Sequence, residues 1–257
     1  MKPTPLFSNI QTGAQTYDDT NKATYKGITI KTLILFAFTV LTAVAAGIAL
    51  SNIFRNPEGT LSRDTLTLFI IMAVVAAITV LISAIVGRLS YRLAMPFGII
   101  YSLSMGYLLG VVTALVELVV PGIGYAAALG TLIIFAVMLL LFFTGVVKSG
   151  RVLRAMLIGT LLSALSLGLF TLILVLTGVL SDMQYLGLLL LIEGLYLIYA
   201  VVMLCFNFLE AEAVVKNGAV KNAEWSVALG LMSTLAYIYV ELLRILLIIA
   251  SIVGNRN

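Results

Sequence analysis

Polar breaks divide most of the chain into seven long apolar runs, at roughly 32–54, 65–87, 97–119, 125–147, 155–180, 185–209 and 225–253. Crossing the hydrocarbon core of a bilayer takes about 20 apolar residues in a helix. Each run is long enough, so the pattern predicts seven membrane-spanning helices. The breaks read RNPEGTLSRD (55–64), RLSYRLAMP (88–96), PGIG (121–124), KSGRVLR (148–154), SDMQ (181–184) and EAEAVVKNGAVKNAE (210–224). Proline, glycine and charge stand in them where helices are expected to stop. Strand periodicity is absent. The expected organisation is a polar cytoplasmic tail over 1–30 and a single transmembrane domain over 31–257. The first apolar run starts too late and continues too far past Ala43-Val44-Ala45 for a cleaved signal peptide, so it is expected to be retained as a helix.

Composition agrees with the pattern. Hydrophobic residues make up 62% of the 257 positions and charged ones 10%, against about 25% charged in a soluble domain. Lipid is therefore the expected solvent and partner. Basic residues fix the expected orientation. The N-terminal tail and the second, fourth and sixth breaks hold Lys2, Lys22, Lys26, Lys31, Arg88, Arg92, Lys148, Arg151, Arg154, Lys216 and Lys221, whereas the other side holds Arg55, Arg63 and Arg256. Cytoplasmic loops carry the excess of Lys and Arg, which places the N-terminus inside and the C-terminus outside. Tyr91, Tyr125, Tyr185 and Trp225 fall near span ends, as interfacial aromatics do. Gly106-x-x-x-Gly110 is a pattern that lets helices pack closely.

The inventory argues against several functions. There is no histidine and one cysteine, Cys205, so zinc-protease and Ser-His chemistry, disulfides and multi-cysteine metal sites are all unsupported. No intramembrane GxGD motif, Walker loop or GxGxxG occurs, and no concentrated basic face suggests nucleic acid. An enzyme is not expected, nor is a cofactor.

Chemistry at membrane depth is left to acids, since an ionisable side chain there costs roughly 2.5–3.5 kcal/mol on insertion scales and is a functional candidate by default. Four qualify: Glu117, Glu193, Glu210 and Glu241. Glu241 lies 16 residues beyond Trp225, or about 24 Å along a helix, deep in an otherwise uncharged run that also contains Arg244. Arg244 at i+3 is within reach of an intrahelical pair, and Tyr237 at i−4 shares the face. Two readings stay open: a neutralised pair that ties helices together, or a carboxylate in a polar cavity shared among a proton, a cation and Arg244. Glu193 and Glu241 are almost equidistant from the turn signal Asn217-Gly218, so an antiparallel hairpin brings them to similar depth. Close carboxylates cannot both ionise easily, and the pair becomes a candidate cation site. Asn207 and Glu210, at i and i+3, share a face at the inner end of the sixth span; Glu212 points elsewhere. Glu117, a turn before Pro121-Gly122, is given no role.

The stretch NFLEAEAVVKNGAVKNAEWSVALGLMSTLAYIYVELLRILLIIAS (207–251), with TYKGITIKTL (24–33) and MGYLLG (105–110), resembles the prokaryotic Bax inhibitor-1/YccA-like proteins over nearly the whole chain. The resemblance implies a seven-helix bundle with the last helix central. It also implies a passive, pH-sensitive calcium leak in a prokaryotic plasma membrane, gated by paired acids on the last two helices. Glu241 matches the seventh-helix acid. Asn207 occupies the best-matching sixth-helix position, where the family commonly has Asp; Glu210, one turn on, is a substitute, and Glu193 is the candidate from counting. Arg88 and Arg92 are candidate latches for an acid. Glu241 and Glu193 are the candidate oxygen donors for a weak, transient calcium ion, whose preference is for several oxygens. Two other readings remain: a non-conducting regulator or scaffold acting on a partner such as a membrane protease, and a proton-coupled small-solute transporter.

Overall fold

Runs of Leu, Ile, Val and Ala uninterrupted by charge leave the backbone one way to satisfy its own polar groups in lipid, the helix. The computed structural model describes residues 22–55, 63–143, 150–176 and 182–254, and among them it contains seven α-helices and no strand. They are α1 (Tyr25–Arg55), α2 (Arg63–Leu89), α3 (Ala94–Val119), α4 (Ile123–Phe143), α5 (Gly150–Leu176), α6 (Asp182–Lys216) and α7 (Ala223–Gly254). All seven are long and apolar enough to cross a membrane. The expected tail up to residue 21, most of the break at 55–64, and residues 144–149 and 177–181 lie outside the described residues.

α1 and α6 outrun their apolar runs the furthest, by seven residues each at one end. α1 begins at Tyr25, inside the expected tail, because Thr24 caps it by accepting a hydrogen bond from the Gly27 N–H at 3.0 Å. Ser and Thr side chains at this position satisfy an otherwise orphaned donor. α6 continues to Lys216, so the polar connection shrinks from 210–224 to 217–222. Glu212 and Lys216 pair one turn apart and carry the helix through polar residues. Its end is built on Gly218 at φ +62°, with Gly218 N–H donating to Val215 O and Ala219 N–H to Val214 O. This left-handed glycine closure satisfies the last carbonyls.

The Cα framework groups into two compact units, residues 1–115 with 209–233, and 116–208 with 234–257. In the first, α1 and α3 meet along a stripe of small residues. Gly98 faces Leu35, Gly106 faces Thr39 and Thr42, and Gly110 lies directly on the Ala43 backbone. Thr32, Thr39 and Thr42 turn their hydroxyls back onto carbonyls of their own helix, at Ile28, Leu35 and Phe38. The three α1 hydroxyls that face this contact are thereby satisfied within their own helix. In the second unit, Ile123, Ala127 and Leu243 form a buried cluster joined by Tyr239, Leu242 and Leu246. The first half of α7 is buried nearly all round, with Val227, Ala228, Leu229 and Ile238 at 2% exposure or less. By contrast, α2 and α5 turn most of their large side chains outward, including Leu68, Ile70, Leu81, Ile158, Leu162 and Leu169. Apolar surface on that scale is a liability in water and ordinary against lipid.

Glu117 turns out to be a structural residue. Its two carboxylate oxygens accept from Gly122 N–H at 2.8 Å and Gly124 N–H at 2.9 Å, across a turn where Gly122 has φ +86°. The carboxylate meets the positive end of α4 and fills donors that have no partner in the helix. Glu117→Ala is expected to cost about 1–3 kcal/mol, read as a lower melting temperature of the detergent-solubilised protein.

Candidate functional site

In the second unit, α6 supplies Glu193 and α7 supplies Glu241 and Arg244. The hairpin turn at Gly218 sets the register that lets them meet. One guanidinium nitrogen, Nη1 of Arg244, lies 3.5 Å from Glu241 Oε1 and 3.7 Å from Glu193 Oε2. The Glu241 side chain is 0% exposed, that of Glu193 14% and that of Arg244 54%. Both nitrogen–oxygen distances exceed the 2.7–3.2 Å of a normal hydrogen bond. Neither oxygen of Glu241 accepts a hydrogen bond of normal geometry, although Glu193 and Tyr237 both come within electrostatic reach of it. Tyr237 packs edge-on against Tyr199, with ring centroids 6.4 Å apart, and interacts with Tyr196. Two carboxylates thus face one cation, with Tyr237 beside Glu241. A buried charge without well-formed partners is costly, so the site holds an unspent capacity for a proton or a cation.

Asn207 and Glu210, the other sixth-helix candidates, are placed elsewhere. Asn207 is 1% exposed and donates through Nδ2 to Thr234 Oγ1 at 2.6 Å. It lies 14 residues from Glu193, about 21 Å along the helix. The position where the resemblance implies Asp therefore carries a neutral amide bonded to a neutral hydroxyl. Glu210 belongs to the first unit, where the Arg88 guanidinium acts on it electrostatically and it acts in turn on Tyr91. Burial, and then the Glu210 carboxylate, push the Tyr91 hydroxyl above its usual range. Arg88 also donates to Ser233 Oγ at 3.4 Å. Arg92 is exposed and pairs with no acid among the described residues. No group of three or more potential metal-ligating acids or thiols occurs among the described residues, so Glu193 and Glu241 stand as a pair without a cage.

Sequence reasoning passed over one buried acid. Glu224, 1% exposed in the first turn of α7, accepts from the Thr24 N–H at 2.8 Å and the Thr24 hydroxyl at 3.2 Å. Its other oxygen pairs with Lys31 Nζ at 2.6 Å. Lys31 donates as well to Lys221 O at 3.0 Å, and its ammonium lies 5.2 Å from the centre of the Trp225 ring. Ala23 N–H to Ala219 O at 2.8 Å and a single antiparallel bridge between Lys22 and Val220 complete the junction. Gly27 leaves room for the carboxylate, since a Cβ there would overlap it. The readable signal was an acid in the first turn of a helix beside Trp225, and a Thr-x-x-Gly start to α1. The polar-break pattern masked both.

Seven apolar helices with ionisable groups held at depth define an integral membrane protein. The chain belongs to the Bax inhibitor 1 like family, whose model matches residues 4–251. A comparison with curated proteins found no match, nor did one with solved structures.

Proposed function

We propose that the protein is a passive cation leak, with calcium as its main permeant ion, whose flux responds to pH through the carboxyls around Glu241. The observation that carries this reading is a Glu241 side chain at 0% exposure facing a second carboxylate and a single loosely placed guanidinium. Family membership supports the same class of membrane protein. The groups facing Glu241 are Glu193 from α6 and Arg244 and Tyr237 from α7, with Tyr196 acting on Tyr237. Proton uptake by this set changes its net charge by one, and a charge change in a poorly solvated site strongly alters its attraction for a cation. On this reading Arg88 restrains Glu210 as a latch in the first unit. Asn207 adds no charge, the N-terminus faces the cytoplasm of a prokaryotic plasma membrane, and neither a cofactor nor catalysis is involved.

The test is calcium flux into dye-loaded liposomes containing the purified protein, over about pH 6 to 8. Glutamine is the isostere of a protonated glutamate. Glu241→Gln is therefore expected to hold the flux, at every pH, near the wild-type value at the acid end. No flux from folded, inserted protein would sink the leak and leave Glu193–Arg244–Glu241 as a structural tie in a regulator of another membrane protein.

A further inference from the structure

We infer that Arg244 is a tethered competitor for cations: its guanidinium occupies the seat between Glu193 and Glu241 and keeps calcium and guanidinium-type cations out until it swings away. This deepens the reading above by naming what regulates the site. It rests on four features of the geometry.

First, the same nitrogen, Nη1, is the near atom to both acids, at 3.5 and 3.7 Å. It marks a point between two carboxylates from different helices. Second, an arginine that served mainly as a structural tie is expected to grip a carboxylate with two short parallel hydrogen bonds. Here the guanidinium stands off both carboxylates, at 3.5 and 3.7 Å, and forms no such grip. Third, the two acids are buried at 0% and 14% exposure, whereas Arg244 is 54% exposed. The acids are fixed in the protein, and the cation is the part with space to move. Fourth, the charge count favours exchange. With both acids ionised, two negative charges face one positive charge, so a single guanidinium leaves the seat underfilled.

The chemical class of ligand follows. A planar guanidinium or amidinium ion fits the space that Arg244 vacates and can hydrogen-bond to both carboxylates. Calcium binds oxygen at 2.3–2.6 Å, so each carboxylate must close in by roughly 1 Å around an ion at the Nη1 position. The need for that closure suits transient occupancy.

The experiment measures binding, so it gives an answer whether or not the protein conducts. Thermal unfolding of the detergent-solubilised protein is followed with calcium alone and with millimolar guanidinium alone. The chains compared are wild type, Arg244→Ala, and Arg244→Ala combined with Glu193→Gln and Glu241→Gln. Arg244→Ala is expected to gain a saturable rise of about 2–4 °C with either cation. The wild type should show a much smaller rise, and the triple variant none. If truncation prevents folding, Arg244→Gln, which keeps length and polarity, carries the same test. A response in Arg244→Ala no larger than wild type overturns the inference, and so does an equal response in the triple variant. Cation binding by Arg244→Ala without calcium flux would retain the inference and remove the leak. Flux without any such binding would do the reverse.

Discussion

Glu224→Ala is expected to lower the melting temperature of the solubilised protein by about 6–20 °C. The wild-type carboxylate accepts hydrogen bonds from the Thr24 N–H and hydroxyl and forms an ion pair with the Lys31 ammonium. Removing it leaves Lys31, 13% exposed, with only the Lys221 carbonyl and the Trp225 face to compensate its charge. Breaking a buried ion pair from one side costs about 3–5 kcal/mol, and each kcal/mol moves the midpoint of a protein this size by about 2–4 °C. Glu224→Gln keeps an acceptor for Thr24 and should lose less. The combination of Glu224→Ala with Lys31→Leu should recover part of the loss, because the orphaned charge goes with its partner. A double variant no more stable than Glu224→Ala would show that the damage comes from the Thr24 contacts rather than from the charge. A midpoint for Glu224→Ala within about 1 °C of wild type would mean the junction contributes nothing to stability.

That junction also shows where sequence reasoning reaches its limit. The helices were legible because each apolar run exceeds the length that spans a bilayer, and only one backbone conformation satisfies such a run in lipid. The ends of α1 and α6 were not legible from hydropathy, because capping by Thr24 and the Glu212–Lys216 pair extend them through polar residues. Counting from Asn217-Gly218 placed Glu193 and Glu241 at matching depth. The structure joins both to Arg244, since helices that run unbroken on either side of one turn preserve distance along their axes. Counting could not decide which way a face points. Asn207 and Glu210 stand three residues apart on α6, yet one bonds Thr234 and the other lies towards Arg88. The Glu224 contacts were out of reach for another reason. Thr24 is 200 residues away in the chain, and no local periodicity encodes a pairing between its two ends.

Gly110→Leu should prevent the protein from accumulating in folded form, with Gly106→Leu only slightly milder. At Gly110 a Cβ would enter the Ala43 backbone, and at Gly106 it would meet the Thr39 backbone as well as the Thr42 hydroxyl. A flexible side chain can rotate out of the way, but a helix backbone must translate as a whole. Moving α1 from α3 forfeits the close packing that holds helices together where lipid is as apolar as the protein. Overpacking a core commonly costs about 1–3 kcal/mol, and a backbone-on-backbone clash belongs at or beyond the upper end. Gly159 is the control, since nothing lies within 4 Å of a Cβ built there. Gly159→Leu should fold normally and even gain up to about 1 kcal/mol from the better helix propensity of leucine. The measurement is the yield of monodisperse protein and its melting temperature for the three variants side by side. If Gly110→Leu matched Gly159→Leu, the close approach of α1 to α3 would not hold the first unit together. The three helical glycines would then be interchangeable with any apolar residue, which the geometry at Ala43 does not allow.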